Sequence, residues 1–491
     1  MSTLPQLPEE IFATLHPAAQ IYIRALEALV REQAAHILKL EVHVLKLEER
    51  VRDLENRLNK NSSNSSKPPS SDGLSKKTKS LREQSGKKPG GQPGREGKTL
   101  NQVANPDHVV IYSPNNCENC SANLLGVKAV SLEKRQVFDL PKPQMEVTEH
   151  RAEAKVCDCC GHRTKATFPT NVAAPVQYGV RIQALAVYFD NQHFIPADRL
   201  CQLFEDVFGV FISPGTCSNI DKKLFHQLAI FEASLKAHLI AGKILHLDET
   251  GMRCCKKLHW VHVASSNTAT FYGIHQRRGQ EAMNEIDILP QFCGVGIHDH
   301  WVPYFSFVQM KHGLCNAHHL RELTYIHEQE KEDWAFKMKD HLLSAKKHVD
   351  TAGGNHLCSE TIKKIETDYA KIVVEGLRYH ANLPKKNLDE SSRKNTPGMN
   401  LLVRFTNKIN ETLAFIHDPQ VPFTNNQAEQ DVRMVKVRQK ISGCFRTLEG
   451  GAIFCRIRSY ISTSRKQGWK VWDALTEALQ GNPRLLSVLS S

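Results

Sequence analysis

What this 491-residue chain lacks narrows its class before any motif is considered. It has no run of about 18 apolar residues, so no membrane-spanning helix and no membrane partner are expected. Its first residues, MSTLPQLPEEIF, offer neither a basic start nor an apolar segment. A secretory signal is therefore not expected, and the compartment reads as cytoplasmic and nucleoid-associated. Acids are outnumbered, 52 against 64 Lys and Arg, which leaves a net charge of +12. That excess favours a polyanionic partner. Cysteine is not scarce: 14 of them in a chain of this kind point to metal or free thiols rather than disulfides. A hydrophobic content of 41% over this length is enough for several domains with cores of their own.

From Leu26 to Leu58 the apolar residues repeat every seven. Val30, Ile37, Val44, Val51 and Leu58 take one seam position; Leu26, Gln33, Leu40, Leu47 and Leu54 take the other. β-branched residues at the first and Leu at the second favour a parallel two-stranded coiled coil, hence a homodimer through residues 1–60. The other reading is a long amphipathic helix folded back on the body. Residues 61–105, which include NSSNSSKPPSSDG and KKPGGQPGREGK, are Ser-, Pro- and Gly-rich and basic. They read as a tether that tracks phosphates or as a plain spacer.

Residues 106–170 contain Cys117-x-x-Cys120 and Cys157-x-x-Cys160. Two such turns can close a tetrahedral thiolate cage around Zn²⁺, a saturated and therefore structural site. Cys159 is a spare thiol and His162 an alternative ligand. The stretches SLEKRQVFDLP and MEVTEHRAEAKV alternate as the strands of a zinc ribbon should. Residues 171–240 read as helical. One helix ends at Gly209, and Ser213 caps the next with Pro214 at its first position. That pair is a helix-turn-helix candidate, with Thr216, Ser218, Asn219, Lys222 and Lys223 toward DNA; many ordinary helical pairs look the same.

Residues 241–315 open with ILHLDETGM, an apolar strand that delivers Asp248 to its end, with Gly251 turning the chain. LHWVHVASS and ATFYGIHQRRG follow as antiparallel strands, EAMNEIDILP as a short helix, and QFCGVGIHDHW as a strand ending in Asp299. This order suggests a ribonuclease-H-like α/β core. Residues 316–420 are helical by period and form an insertion that covers the site or grips DNA. Cys315-x-x-His318 opens it; two ligands do not make a zinc site, so His318, His319 and Arg321 pack or touch phosphate. Residues 421–465 return to the core. There Glu429 falls in the first turns of a helix capped by Asn425 or Asn426, with Arg433 and Lys436 on its face. Phosphodiester chemistry needs an activated oxygen nucleophile and a stabilised leaving oxygen. Two Mg²⁺ (or Mn²⁺) ions roughly 3.5–4 Å apart supply both, and carboxylates are their ligands. Asp248, Asp299 and Glu429 make the minimal set, with Glu249 and Asp431 as rivals. Basic residues recur at Arg433, Lys436, Arg438, Lys440, Arg446, Arg456, Arg458 and Arg465 as a positive surface for phosphates. Residues 466–491 form a small C-terminal domain with one amphipathic helix. The fold class is thus multidomain α+β.

These residues resemble a known family, the DDE transposases of insertion-sequence family sixty-six. The resemblance runs nearly the whole length, through LNKNSSNSSKPPSSDG, GGQPGREGKTL, the paired Cys-x-x-Cys, HLDETG, HDHWVPY, LCNAHHLREL, TNNQAEQDVRMVKVRQKISGCFRT and TSRKQGWKVWDAL. It implies a leucine zipper, a zinc-binding module, a ribonuclease-H-like catalytic domain and a small C-terminal domain. It also implies a catalytic triad of Asp248, Asp299 and Glu429, with Lys436 as the basic residue seven after the Glu. Many relatives have Ser-Asp-Gly-Tyr at the second acid, where this chain has His298-Asp299-His300-Trp301. The implied activity is cleavage and strand transfer of double-stranded DNA, at the ends of the chain's own mobile element and at a target, with accessory proteins of the element as further candidate partners. The competing expectation is a catalytically silent DNA-binding regulator.

Overall fold

The computed structural model describes residues 7–60, 99–141, 143–382 and 396–487. Most of the basic tether, residues 61–98, lies outside them. In chain order the elements are α1 (Glu9–Ala13), α2 (Pro17–Asn59), β1 (Ala154–Val156), β2 (Arg163–Lys165), α3 (Val180–Asn191), α4 (Ala197–Phe208), α5 (Pro214–Gln227) and α6 (Ala229–Ile240). Next come β3 (Ile244–Cys254), β4 (Lys257–Ser265), β5 (Thr270–His275), α7 (Gln280–Ile286), β6 (Val295–His298) and β7 (Lys311–Leu314). The helices α8 (Asn316–Tyr325), α9 (Asp333–Ala352), α10 (Ser359–Ala381), α11 (Pro397–Asn407), α12 (Ile409–Thr412) and α13 (Ala414–His417) follow. The chain closes with α14 (Asn426–Ser442), α15 (Leu448–Lys466) and α16 (Val471–Leu479). Among the described residues no helix is long and apolar enough to cross a membrane. The chain divides into two compact units.

One unit holds α2, Val295–Phe305 and Lys311–Asn425. Its α2 is a single helix of 43 residues with Pro17 in the first turn. The seam residues Val30, Ile37, Leu40, Val44, Leu47 and Leu54 are all exposed along it. The strands β6 and β7 pair in parallel, with Ile297 opposite Gly313. An added Cβ at Gly313 would stand 2.6 Å from Ile297 Cδ1, so the Ile297 side chain would have to shift. The helices α8 to α11 then pack on one another around Trp334, Met338, Leu342, Tyr369 and Phe405. The strand β7 was not expected; its four residues, KHGL, are too few to show a period.

The other unit takes the chain up to Gly294, Ser306–Met310 and Asn426–Ser491. Its sheet is antiparallel, with β4 between β3 and β5. The expectation that the first strand stops at Asp248 and turns at Gly251 is corrected here. Gly251 lies within the ladder, opposite Trp260, and β3 runs on to Cys254. The turn is made by Cys255 and Lys256, at φ 51 and 63. Two left-handed residues match the twist of a two-residue hairpin, a task usually given to Asn-Gly. Nothing in a Cys-Lys pair signals it.

Met252, Cys254, Val261, Val263 and Tyr272 of the sheet pack with Val435, Phe445, Phe454 and Cys455 in one apolar cluster. The helix α15 is buried nearly all round, as a central helix must be. Its hydroxyls meet β5: Tyr272 N–H donates to Ser459 Oγ at 2.9 Å and Thr270 N–H to Thr463 Oγ1 at 3.1 Å. Residues four apart on a helix thus match residues two apart on a strand. The helix pair α4 and α5 is as expected, with Gly209 left-handed at φ 64 and Ser213 Oγ accepting from Thr216 N–H at 3.1 Å.

Of the two alternating stretches, 131–141 shows no strand among the described residues, and 145–156 becomes one only at its end, where β1 pairs with β2; Val130, Val137 and Val147 are almost wholly exposed. Alternation there has no packed face to sit against.

Ser459→Ala should leave the Tyr272 N–H buried without an acceptor and cost about 1–3 kcal/mol. Urea unfolding at pH 7 reads this, and Thr463→Val should show a loss of the same kind.

Candidate active site

Alternation along β3 decides which of its two adjacent acids can meet a partner helix. Asp248 falls on the same face as Met252 and Cys254, which pack with Val435 of α14. Glu249 falls on the other face. Its side chain is 2% exposed and paired to Arg278 at 2.5 Å. The Arg278 guanidinium in turn lies 4.8 Å above the Trp260 ring. Glu249 is therefore held as one half of a buried ion pair. His262, cross-strand from Glu249, is pushed down to about 4, mainly by burial.

The second rival is occupied too. Asp431 Oδ2 accepts from Ser265 Oγ at 2.7 Å, Thr270 Oγ1 at 3.1 Å and Lys466 Nζ at 3.1 Å. Burial lowers the Lys466 pKa, with the Asp431 carboxylate opposing that shift. This clamp fixes α14 to the sheet and to the end of α15. Glu429, two residues earlier, lies in the first turn of α14, and α14 packs across β3 and β4. Asp248 and Glu429 thus belong to elements packed in one unit. Asp299 belongs to the other unit, where it follows β6 directly and its Oδ1 accepts from Trp301 N–H at 3.1 Å.

The expected phosphate contacts divide. Lys436 is half-buried on α14 and donates to the Gly251 carbonyl; burial lowers its pKa. It lines a hollow of about 350 Å³ with Gly251, Arg253, Leu258, Gln439, Gly443 and Cys444. Arg433 and Arg446 are exposed. The broader positive surface is corrected. Arg456 pairs with Glu232 at 2.6 Å. Arg458 is 5% exposed and bonds Gln192 Oε1 at 2.6 Å. Arg438 stacks 4.3 Å over Phe445. Arg458 is buried and the other two are half-buried against their partners. Arg253 was missed, and its position on the far side of Gly251 hid it. On α5, Ser218, Asn219, Lys222 and Lys223 are exposed while Cys217, Ile220 and Leu224 are buried. Of the insertion residues, His319 is buried and takes Asn316 Oδ1 as a partner, and Cys315 Sγ accepts from Asn425 N–H.

At the four-cysteine motif each pair forms its own knuckle. Ser121 N–H donates to the Cys117 carbonyl at 2.9 Å, and Gly161 N–H to the Cys157 carbonyl at 2.8 Å. Backbone N–H groups of Cys120 and Asn119 lower the Cys117 thiol, and those of Cys160 and Cys159 lower that of Cys157. Donors aimed at sulfur favour the thiolate that binds metal. Among the described residues the two knuckles do not gather three thiols into one cluster.

Two outcomes follow. Asp431→Ala should cost about 1–3 kcal/mol, since Lys466 loses its counter-charge but keeps Ser265 Oγ and the Ser266 and Ala269 carbonyls as acceptors; urea midpoints of wild type, Asp431→Ala, Lys466→Met and the double variant measure the coupling. The folded His262 pKa of about 4 lies below the unfolded value of 6.5. Between those values the unfolded chain takes up a proton that the folded one refuses, so stability falls as pH falls through that window. The loss reaches about 3 kcal/mol near pH 4, and His262→Gln should remove that share of it, read by urea unfolding from pH 7 to 4.

No curated protein matches the chain. Residues 114–161, which hold all four cysteines of the paired motif, match the zinc-finger binding domain of transposase IS66. Residues 15–101 match a family of unknown function, DUF6444. Residues 175–453, more than half of the chain, match the transposase IS66 family. The chain belongs to that transposase family.

Proposed function

We propose that the protein binds the ends of its own mobile element and catalyses metal-dependent cleavage and strand transfer of DNA. One observation carries the reading: Asp248 faces the helix that bears Glu429, while the neighbouring acids Glu249 and Asp431 are each tied to a cation. Asp299, at the end of β6, is the third acid of the set. The antiparallel β3–β4–β5, the parallel β6–β7 and the acid-bearing α14 support a ribonuclease-H-like core.

The donor set fits a hard divalent cation, since all three ligands are carboxylates. Mg²⁺ held by Asp248, Asp299 and Glu429 would activate the attacking oxygen and stabilise the leaving one. The rest is the work of the chain's own residues. Lys436 and Arg253 line a hollow that suits a backbone phosphate, and Arg433 and Arg446 extend the cationic surface outward. The Asp431–Lys466 clamp holds α14 so that Glu429 keeps its place. Zn²⁺ held by Cys117, Cys120, Cys157 and Cys160 would fix the small module that presents DNA. Pairing of α2 with a second copy along its exposed seam would bring two element ends to one complex.

Purified protein with element-end duplex and Mg²⁺ should nick the 3′ end and transfer it. Asp248→Asn should lower the nicking rate by more than about a hundredfold, beyond the usual cost of losing an outer-sphere partner, with duplex binding retained in a gel-shift assay. Equal nicking by wild type and variant sinks the assignment. Binding with no nicking by the wild type leaves the silent regulator.

A further inference from the structure

The loop that carries Asp299 is held by an unusual support. Asp299 Oδ1 accepts from Trp301 N–H at 3.1 Å, which closes a short turn over His300. His300 is left-handed, at φ 72. For a residue with a side chain that conformation costs about 1 kcal/mol or more, so something must hold it. The His300 N–H donates to His298 Nδ1 at 3.1 Å.

His298 is fully buried, its ring 4.7 Å from that of Tyr304 and 5.1 Å from that of Phe305. Its Nε2 lies 3.1 Å from Nδ1 of His312, on the neighbouring strand β7. Because Nδ1 accepts from a backbone amide, the ring proton belongs on Nε2, which donates to His312. Both nitrogens are thereby committed and the ring cannot flip without breaking two bonds. Packing alone would be served by any ring of this size. The acceptor at Nδ1 is spent on one amide, two residues along, at the point of strain.

We propose that His298 is a positioning residue for Asp299. It anchors the His300 amide, and so the left-handed turn that orients the second carboxylate. The inference rests on Asp299 being one of the metal-binding acids.

The test uses the full chain, element-end duplex and Mg²⁺, with nicking followed in a single turnover. His298→Gln keeps a polar end toward His312 but has no acceptor at the Nδ1 position. His298→Asn places an acceptor there. His298→Gln should nick about tenfold more slowly, the effect of one lost hydrogen bond, at unchanged duplex affinity. His298→Asn should stay within about threefold of wild type. His300→Gly should restore the rate in the Gln background, since glycine needs no help to be left-handed. Wild-type nicking by the Gln variant overturns the proposal, as do equal losses in the Asn and Gln variants or a glycine that restores nothing. Should the Gln variant fail to fold, the Asn variant decides: a rate near wild type upholds the role and a tenfold loss overturns it. Asp299→Asn, run alongside, separates the two claims. If it nicks normally, the assignment of Asp299 has failed. If it is inactive while His298→Gln is not, only the positioning role has.

Discussion

One half-buried carboxylate, Asp431, ties α14 to the β4–β5 hairpin, where Ser265 pairs with Thr270, and to the end of α15. It receives Ser265 from the end of β4, Thr270 from the start of β5 and Lys466 from the end of α15. Each donor alone is a modest interaction. Together they set the position of α14 against the sheet, and α14 carries both Glu429 and Lys436. An error of an ångström at Asp431 would be passed one helical turn along to the residues facing Asp248. The carboxylate is partly removed from water, and hydrogen bonds to its Oδ2 offset that loss of solvation.

The same economy governs the two acids that compete with the proposed set. Glu249 is held by Arg278 and Asp431 by Lys466, so each of these two acids already serves the fold as half of an ion pair.

Much of this arrangement was legible in the residues, and the failures have physical causes. Alternation found β4 and β5, an apolar run ending in an acid found β6, and the capping signals at Gly209 and Ser213 found the end of α4 and the start of α5. Alternation did not find where β3 ends, because Gly251 resembles a turn residue while Cys255 and Lys256 do not. The basic run after Arg433 was read as a surface, since its partners Glu232 and Gln192 are far off in sequence. The pairing of Glu249 with Arg278 spans 29 residues and that of Asp431 with Lys466 spans 35, beyond any local pattern. The zinc motif was legible as spacing, while the alternation around it became a strand only at Ala154–Val156, because the rest has no packed face to sit against.

The hydroxyls of Ser459 and Thr463 have a consequence beyond holding α15 in place. The outer rim of β5 offers amides that a strand from another molecule would otherwise seize. With Tyr272 and Thr270 already engaged from within, that rim is closed to intruders. Copies of the protein crowded together are therefore kept from joining edge to edge along this strand.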